Sequence, residues 1–110
     1  MKVPNAGRAI VDIAKLRNYS LSGTHNEGKH KARVFAAVLG LSKNDAEWLR
    51  EALLKAAREE NCTLGKRTSF GQRYIVDFIV TRGENTAQLR SAWIIRAGEE
   101  APRLVSCYVL

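Results

Sequence analysis

The chain has 110 residues, of which 45% are apolar and 26% charged, a composition that excludes a disordered segment and predicts one folded domain over residues 1–110. Its 18 Lys and Arg outnumber its 11 Asp and Glu, which leaves a net charge of +7 and favours an anionic partner. The longest apolar run, residues 34–39, is too short to span a membrane, and no export signal opens the chain, so we expect a cytoplasmic protein without membrane contact.

Helices are predicted first along the chain. Asp12 is suited to cap a short helix that runs to about Tyr19, and the polar residues and glycines of 20–28 predict a loop. Apolar side chains at three- and four-residue spacing predict a second helix over residues 29–39. Its expected apolar face contains Val34, Phe35, Val38, Leu39 and Leu41.

A third helix and four strands are predicted next. Ser42, Asn44 or Asp45 can cap the helix, and Asn61 ends it. Helical spacing then disappears, and β-branched and aromatic residues predict strands over residues 62–68, 72–81, 86–96 and 103–109. The buried face of the second strand is expected to carry Tyr74, Val76, Phe78 and Val80. About three helices followed by a four-stranded antiparallel meander predict an α+β fold.

The cysteines and histidines do not have the spacing of a metal site. Cys62 and Cys107 can form a disulfide only if their strands are neighbours, and two buried thiols are the expected state of a cytosolic chain. His25 and His30 are the side chains that titrate naturally near neutral pH, so one of them would carry the proton in an enzyme. We expect no cofactor and no structural metal.

The first basic cluster, called the helix cluster below, comprises residues 29–33 at the start of the second helix. Cations here can join backbone N–H groups in binding an anion. Lys29 and Arg33 are expected on the solvent face and His30 at the border with the core. The alternative is a solvated helix start. The cluster contains Lys29, His30, Lys31 and Arg33 and no acidic residue.

The second basic cluster, called the hairpin cluster below, comprises residues 66–73 between the first two strands. It combines cations for phosphates, hydroxyls, an aromatic ring for base stacking and a glycine that permits close backbone approach, which suits RNA contact. The alternative is an ordinary polar hairpin. Its members of interest are Lys66, Arg67, Thr68, Ser69, Phe70, Gly71 and Arg73.

Arginines on the later strands form a third candidate feature. Arg90 and Arg96 are six residues apart and therefore point to the same face of one strand, and Arg103 at the start of the next strand can join them. Such a face can bind phosphate, although arginine is also common on a solvated sheet. Tyr108 can belong to the core or to a site, and the core is the expected location.

Several motifs together resemble a family of small, largely uncharacterised bacterial domains that occur alone or at the C-terminal ends of polymorphic toxins. The matching stretches are Pro-Asn-Ala at residues 4–6, Gly-x-His-Lys-Ala-Arg-Val-Phe at 28–35, Phe-Gly-x-Arg-Tyr-x-Val-Asp at 70–77, Trp-Ile-Ile-Arg at 93–96 and Pro-Arg-Leu-Val at 102–105. They span almost the whole chain. Helices followed by a four-stranded sheet also resemble the barnase–EndoU–colicin–RelE class of RNase toxins.

The resemblance implies a toxin-like ribonuclease that needs no metal and cleaves tRNA or ribosomal RNA. In this chemistry the ribose 2′-OH attacks the adjacent phosphate, with a base, an acid and phosphate-binding cations supplied by the enzyme. His30 is expected to carry the proton, with Lys31, Arg33 and Arg73 on the phosphate and Thr68 or Ser69 as a hydroxyl contact. An acidic antitoxin or immunity protein is the expected protein partner.

Two other functions fit the same sequence. A non-catalytic RNA- or ribosome-binding module would use the same cations and show salt-sensitive binding without cleavage. A protein-interaction member of a toxin–antitoxin or immunity pair would direct its basic face to an acidic protein.

Overall fold

The computed structural model describes residues 1–23 and 29–110. A 3-10 turn, Ala6–Arg8, precedes helix α1, Ile13–Lys15, which continues as the π-helical turn Leu16–Ser20. Helix α2 is Lys29–Leu39, and the 3-10 turn Lys43–Asp45 leads into α3, Ala46–Glu59. In the part of the chain that the structure describes, no helix is long and apolar enough to cross a membrane.

The helix starts use the capping residues that the sequence predicts. The carboxylate of Asp12 accepts a hydrogen bond from the backbone N–H of Ala14 at 2.9 Å. Ser42 and Asp45 form a reciprocal capping box around the turn before α3, in which the Asp45 carboxylate accepts from the Ser42 N–H at 2.8 Å. These caps confirm the predicted start of α1. The bounds of α2 also agree with the prediction at both ends.

The strands form one antiparallel sheet in the order β1-β2-β3-β4. Their bounds are Thr63–Thr68, Gly71–Arg82, Asn85–Arg96 and Arg103–Val109. The predicted meander and the α+β fold are confirmed, and the predicted strand ends differ by at most one residue. Consecutive strands pair because short turns join them, as at the β2–β3 turn where Gly83 has a φ of 62°.

In the described part of the chain, α2 lies over β3 and β4 and α3 lies over β2, on the face that carries the buried side chains. The predicted inward side chains of β2, Tyr74, Val76, Phe78 and Val80, are buried. Trp93 is the largest fully buried side chain, and its Nε1–H donates to the Oγ of Ser91, which donates in turn to the carbonyl of Val76, both at 2.9 Å.

The apolar face of α2 differs in part from the prediction. Its buried residues are Ala32, Phe35 and Leu39, whereas Val34 is 41% exposed. The predicted and the observed apolar faces both have helical spacing, but the face that packs against the sheet is centred on Phe35. Since Val34 follows His30 by one helical turn, this rotation also places His30 in solvent and not at the predicted border with the core.

The two cysteines are buried free thiols. Cys62 precedes β1 and Cys107 lies in β4, the opposite edges of the sheet, so their strands are not neighbours. Burial raises the pKa of Cys107 to about 11 and raises that of Cys62 in the same direction. Both therefore stay neutral thiols at physiological pH.

Candidate functional site

The face of the sheet opposite the helices, called the open face below, collects most of the predicted site residues of the strands. Strand alternation places the odd-numbered residues of β2 and the even-numbered residues of β3 there, because their neighbours are buried against the helices. The registers of β2 with β3 and of β3 with β4 align its polar side chains in rows. The charged side chains of β2, β3 and β4 on this face, together with Tyr108, are Arg73, Asp77, Arg90, Arg96, Arg103 and Tyr108.

One row of polar side chains crosses three strands. Asp77 of β2 is opposite Arg90 of β3, and Arg90 is opposite Tyr108 of β4. The Arg90 guanidinium donates to both carboxylate oxygens of Asp77 at 2.8 Å, and on its other side Arg90 neighbours Tyr108 in the strand register. The hydrogen bond from Arg90 lowers the pKa of Asp77, and the hydrogen bond to Asp77 raises the pKa of Arg90. Both groups are ionised at neutral pH.

Lys31 extends this row from the helical side. Its Nζ lies 4.9 Å from the centroid of the Tyr108 ring, a cation–π contact. Since α2 packs on the other face and β4 is an edge strand, the Lys31 side chain reaches around that edge. Lys31 is thus the member of the helix cluster placed at the sheet, while His30 and Arg33 are exposed and Lys29 is half-buried.

The hairpin cluster lies at the turn between β1 and β2. Lys66, Arg67 and Ser69 are exposed, and the Phe70 side chain is 78% exposed. The Oγ1 of Thr68 accepts a hydrogen bond from the Phe70 N–H at 3.2 Å, so this hydroxyl is held by its own turn.

Gly71 has a role different from the predicted one. Its φ is 149°, and a Cβ there would collide with the carbonyl oxygen of Ile95. The close approach that this glycine permits is therefore to β3 of the same chain, and it explains why the turn needs glycine without any ligand.

The arginines of the open face differ in whether a carboxylate forms an ion pair with them. Besides the Arg90–Asp77 pair, Glu99 binds Arg103 at 3.1 Å and Arg96 at 3.8 Å. Arg73 is exposed, and within residues 1–23 and 29–110 it has no carboxylate partner. The predicted arginine face is present, but Arg73 is its unpaired member.

The two basic clusters occupy different parts of the molecule. In the sheet register, Tyr108 beneath Lys31 is two strands and four residue pairs from Arg73. By standard strand spacings this is about 10 Å across and about 13 Å along the strands, or about 16 Å overall. The clusters border the open face from opposite corners, and a single phosphate cannot bridge them. His25 lies outside the described residues.

The sequence-based reading missed the row of Asp77 and Tyr108. Strand alternation contained the signal for Tyr108, because only one of Cys107 and Tyr108 can face the core, and Cys107 is the buried one. Asp77 alternates with the buried Val76 and Phe78 in the same way. Within the described ranges, no group of three or more His, Cys, Asp or Glu is arranged to hold a metal.

Comparison with protein families identifies the family of this chain. The model of the family described as "Domain of unknown function (DUF6883)" matches residues 2–110. The chain belongs to this family. No curated protein matches the DUF6883 chain.

Among solved structures, the DUF6883 chain is similar to a chain of a contact-dependent growth inhibition toxin–immunity protein complex from Klebsiella pneumoniae 342. The TM-score is 0.72, with 14% sequence identity over 92% of this chain and 99% of that chain. At this identity the match shows a shared fold, over nearly the full length of both chains.

Proposed function

We propose that this protein is a toxin that cleaves RNA without a metal, and that the open face binds the RNA. The observation that carries the proposal is the row in which Lys31 lies over the ring of Tyr108 while Arg90, fixed by Asp77, is the register partner of Tyr108 on the next strand. A phenol beside two cations, at the edge of a face that no helix of the described residues covers, suits proton transfer to a phosphodiester.

The reaction would proceed by attack of the ribose 2′-OH on the adjacent phosphorus. The O2′–P bond forms as the P–O5′ bond breaks, which yields a 2′,3′-cyclic phosphate and a 5′-OH. His30, exposed one residue before Lys31, would take the 2′-OH proton. Tyr108, which lies beside Arg90 in the strand register, would give its hydroxyl proton to the leaving 5′-oxygen.

The cations would divide into two groups. Lys31 and Arg33 would stabilise the charge on the reacting phosphate from the α2 side. Arg73, together with the exposed Lys66 and Arg67, would bind phosphates further along the strand, about 16 Å away in the sheet register. Thr68, Ser69, Lys29, Arg96 and Arg103 would contribute at the borders of the same surface.

For Arg90, which the sequence predicts as an RNA contact, we propose a positioning role. Both Asp77 oxygens accept from its guanidinium, and Tyr108 is its register partner on β4, so Arg90 would position Tyr108 and not bind phosphate directly. Within the proposed mechanism Arg90 and Asp77 are positioning residues.

A toxin of this kind would need a neutralising partner. The solved chain with the same fold belongs to a toxin–immunity protein complex, which supports such a pair for this family. An acidic immunity protein that covers the open face would compete directly with RNA, because both recognise the same cations.

The test is incubation of the purified protein with total tRNA and ribosomal RNA in EDTA. We expect fragments with 2′,3′-cyclic phosphate ends from the wild type, and much slower cleavage from His30→Ala, Tyr108→Phe and Arg73→Ala. Arg58→Ala, which removes an exposed cation of α3, is the matched control and should cleave normally.

Intact RNA with wild-type protein in every condition would refute the nuclease. If that protein nevertheless binds RNA with a steep salt dependence, the non-catalytic RNA-binding module is the correct function. Cleavage that persists in all three site variants would refute the site and leave the activity.

A further inference from the structure

The outer edge of β2 is unpaired over its second half. β1 pairs with β2 from Thr68 opposite Gly71 to Thr63 opposite Ile75, and β2 then continues alone on this side to Arg82. Within residues 1–23 and 29–110, no other strand lies against this part of β2. A strand edge of this length is a template for a further strand.

The ladder shows which backbone groups point outward at this edge. The Leu110 N–H donates to the Gln88 carbonyl at 2.9 Å, so Gln88 bonds towards β4 and its neighbour Leu89 bonds towards β2. Phe78, which is opposite Leu89, therefore bonds to β3. The backbone N–H and C=O groups of Ile79 and, by the same alternation, Thr81 point away from the sheet.

A groove runs beside this edge, between β2 and α3. Its volume is about 530 Å³, and its floor includes Trp48, Ala52, Ala56 and Phe78. Ile79 and Thr81 border it through their backbone, because the side chains of these odd-numbered β2 residues lie on the open face. The groove has room for the side chains that one face of an added strand would direct towards the protein.

The charge of the groove is opposite to that of the whole chain. Three carboxylates line it, those of Glu51, Glu59 and Glu60, together with the ammonium group of Lys55, and the Lys2 Nζ donates to the Glu59 backbone carbonyl at its end. In the described part of the chain, neither Glu59 nor Glu60 has an ion-pair partner, while Glu51 is 3.8 Å from Arg50. Three carboxylates against two ammonium groups leave a small local excess of negative charge, in a protein of net charge +7.

We infer that the groove between α3 and the free edge of β2 binds an extended segment of a partner protein, which adds to the sheet as a fifth strand. The segment pairs its backbone with Ile79 and Thr81, and its Lys or Arg side chains contact Glu59 and Glu60. Its basic character distinguishes it from an acidic immunity surface on the open face. The inference does not depend on RNA cleavage.

The probe for this site is a phage-displayed library of random dodecapeptides, selected on the immobilised wild-type protein. Synthetic copies of the enriched peptides are then measured by fluorescence anisotropy. We expect enriched peptides to alternate Lys or Arg with β-branched residues, and to protect the Ile79 and Thr81 amides from hydrogen exchange.

Two matched pairs of variants test the contacts. Ile79→Pro removes the outward N–H, which an edge strand tolerates, whereas Ile79→Ala keeps it. We expect at least about tenfold weaker peptide binding for Ile79→Pro than for Ile79→Ala. Glu59→Lys should weaken binding similarly, and Glu84→Lys, the same charge change in the exposed β2–β3 turn, should not. If Ile79→Pro does not fold, the Glu59→Lys and Glu84→Lys pair carries the test.

Three results would overturn the inference. One is a selection without enriched peptides, and another is peptide binding that none of the variants weakens. The third is self-association of the protein that Ile79→Pro abolishes, because a second copy of the chain would then be the occupant of the edge.

Discussion

The helix cluster and the hairpin cluster look alike as sequence and differ in structure. Each combines three cations without an acid. In the helix cluster, the 3.6-residue period directs one member, Lys31, onto Tyr108 at the edge of the sheet, while its neighbours face solvent. In the hairpin cluster, the turn exposes Lys66, Arg67 and Phe70 together. A helix selects one side chain for a site, whereas a turn presents several at once.

The contrast suggests different tasks for the two clusters. Lys31 has a defined partner, the ring of Tyr108, which lies beside the Asp77-bound Arg90, an arrangement suited to chemistry. The hairpin cations have no carboxylate partner among the described residues, which suits adaptable contact with an RNA backbone. The following predictions test this division.

The largest effect is expected from Lys31→Met, which keeps the length of the side chain and removes its charge. We expect RNA cleavage to slow by about 100-fold or more, as when one stabilising group is lost from an active site, while RNA affinity changes little. Single-turnover kinetics at saturating protein would measure it. Lys43→Met, at an exposed turn, is the control. Equal slowing by both variants would contradict a specific role for Lys31.

Phe70→Ala tests the exposed ring of the hairpin. Loss of one stacked base costs about 1–3 kcal/mol, so we expect RNA binding to weaken by about tenfold. The cleavage rate at saturation should stay near that of the wild type. Phe70→Trp should restore binding, since any aromatic ring can stack. Unchanged binding by Phe70→Ala in a filter-binding titration would place the ring outside the interface.

The double variant Lys66→Ala/Arg67→Ala tests the phosphate contacts of the same hairpin. We expect binding to weaken by a few-fold for every RNA sequence alike, and the log–log salt slope to become shallower by about 1.4 for single-stranded RNA. Titrations at several salt concentrations would measure both. A change confined to certain sequences would indicate base readout instead.

The smallest effect is expected on stability, from loss of the Asp77–Arg90 ion pair beside Tyr108. Since the pKa of Asp77 is lowered below its ordinary value of 3.8, its contribution to stability is complete above that pH and is lost as the pH falls through the folded-state pKa. We expect Asp77→Asn to lower the free energy of unfolding by up to about 1 kcal/mol at neutral pH. Urea unfolding at pH 7 and pH 3 would measure it. An equal difference at both values would exclude the ionised pair as its source.

Much of the fold was predictable from local patterns. The limits of α2, the inward face of β2 and the range of β4 follow from periodicities of 3.6 and 2 and from caps such as Asp12. The rotation of α2 was not predictable, because Val34 and Phe35 are both apolar and only packing against the sheet selects Phe35.

The candidate site was predictable as a set of residue types and not as an arrangement. Arg90 and Arg103 share a face with Tyr108 as strand alternation requires, but their acidic partners are on other strands or loops. An acid-free stretch of sequence is therefore not an acid-free surface, since antiparallel pairing brings Asp77 to Arg90 from 13 residues away.

The sequence by itself determined the α+β class, the order of helices before a meander and the positive charge, because each depends on composition or on contacts between near neighbours in the chain. Only the tertiary structure decided that Lys31 and not His30 meets the sheet, that Arg73 stays unpaired while Arg103 does not, and that the outer half of β2 has a free edge. These features depend on strand register and on the rotation of one helix, which contacts between distant residues set.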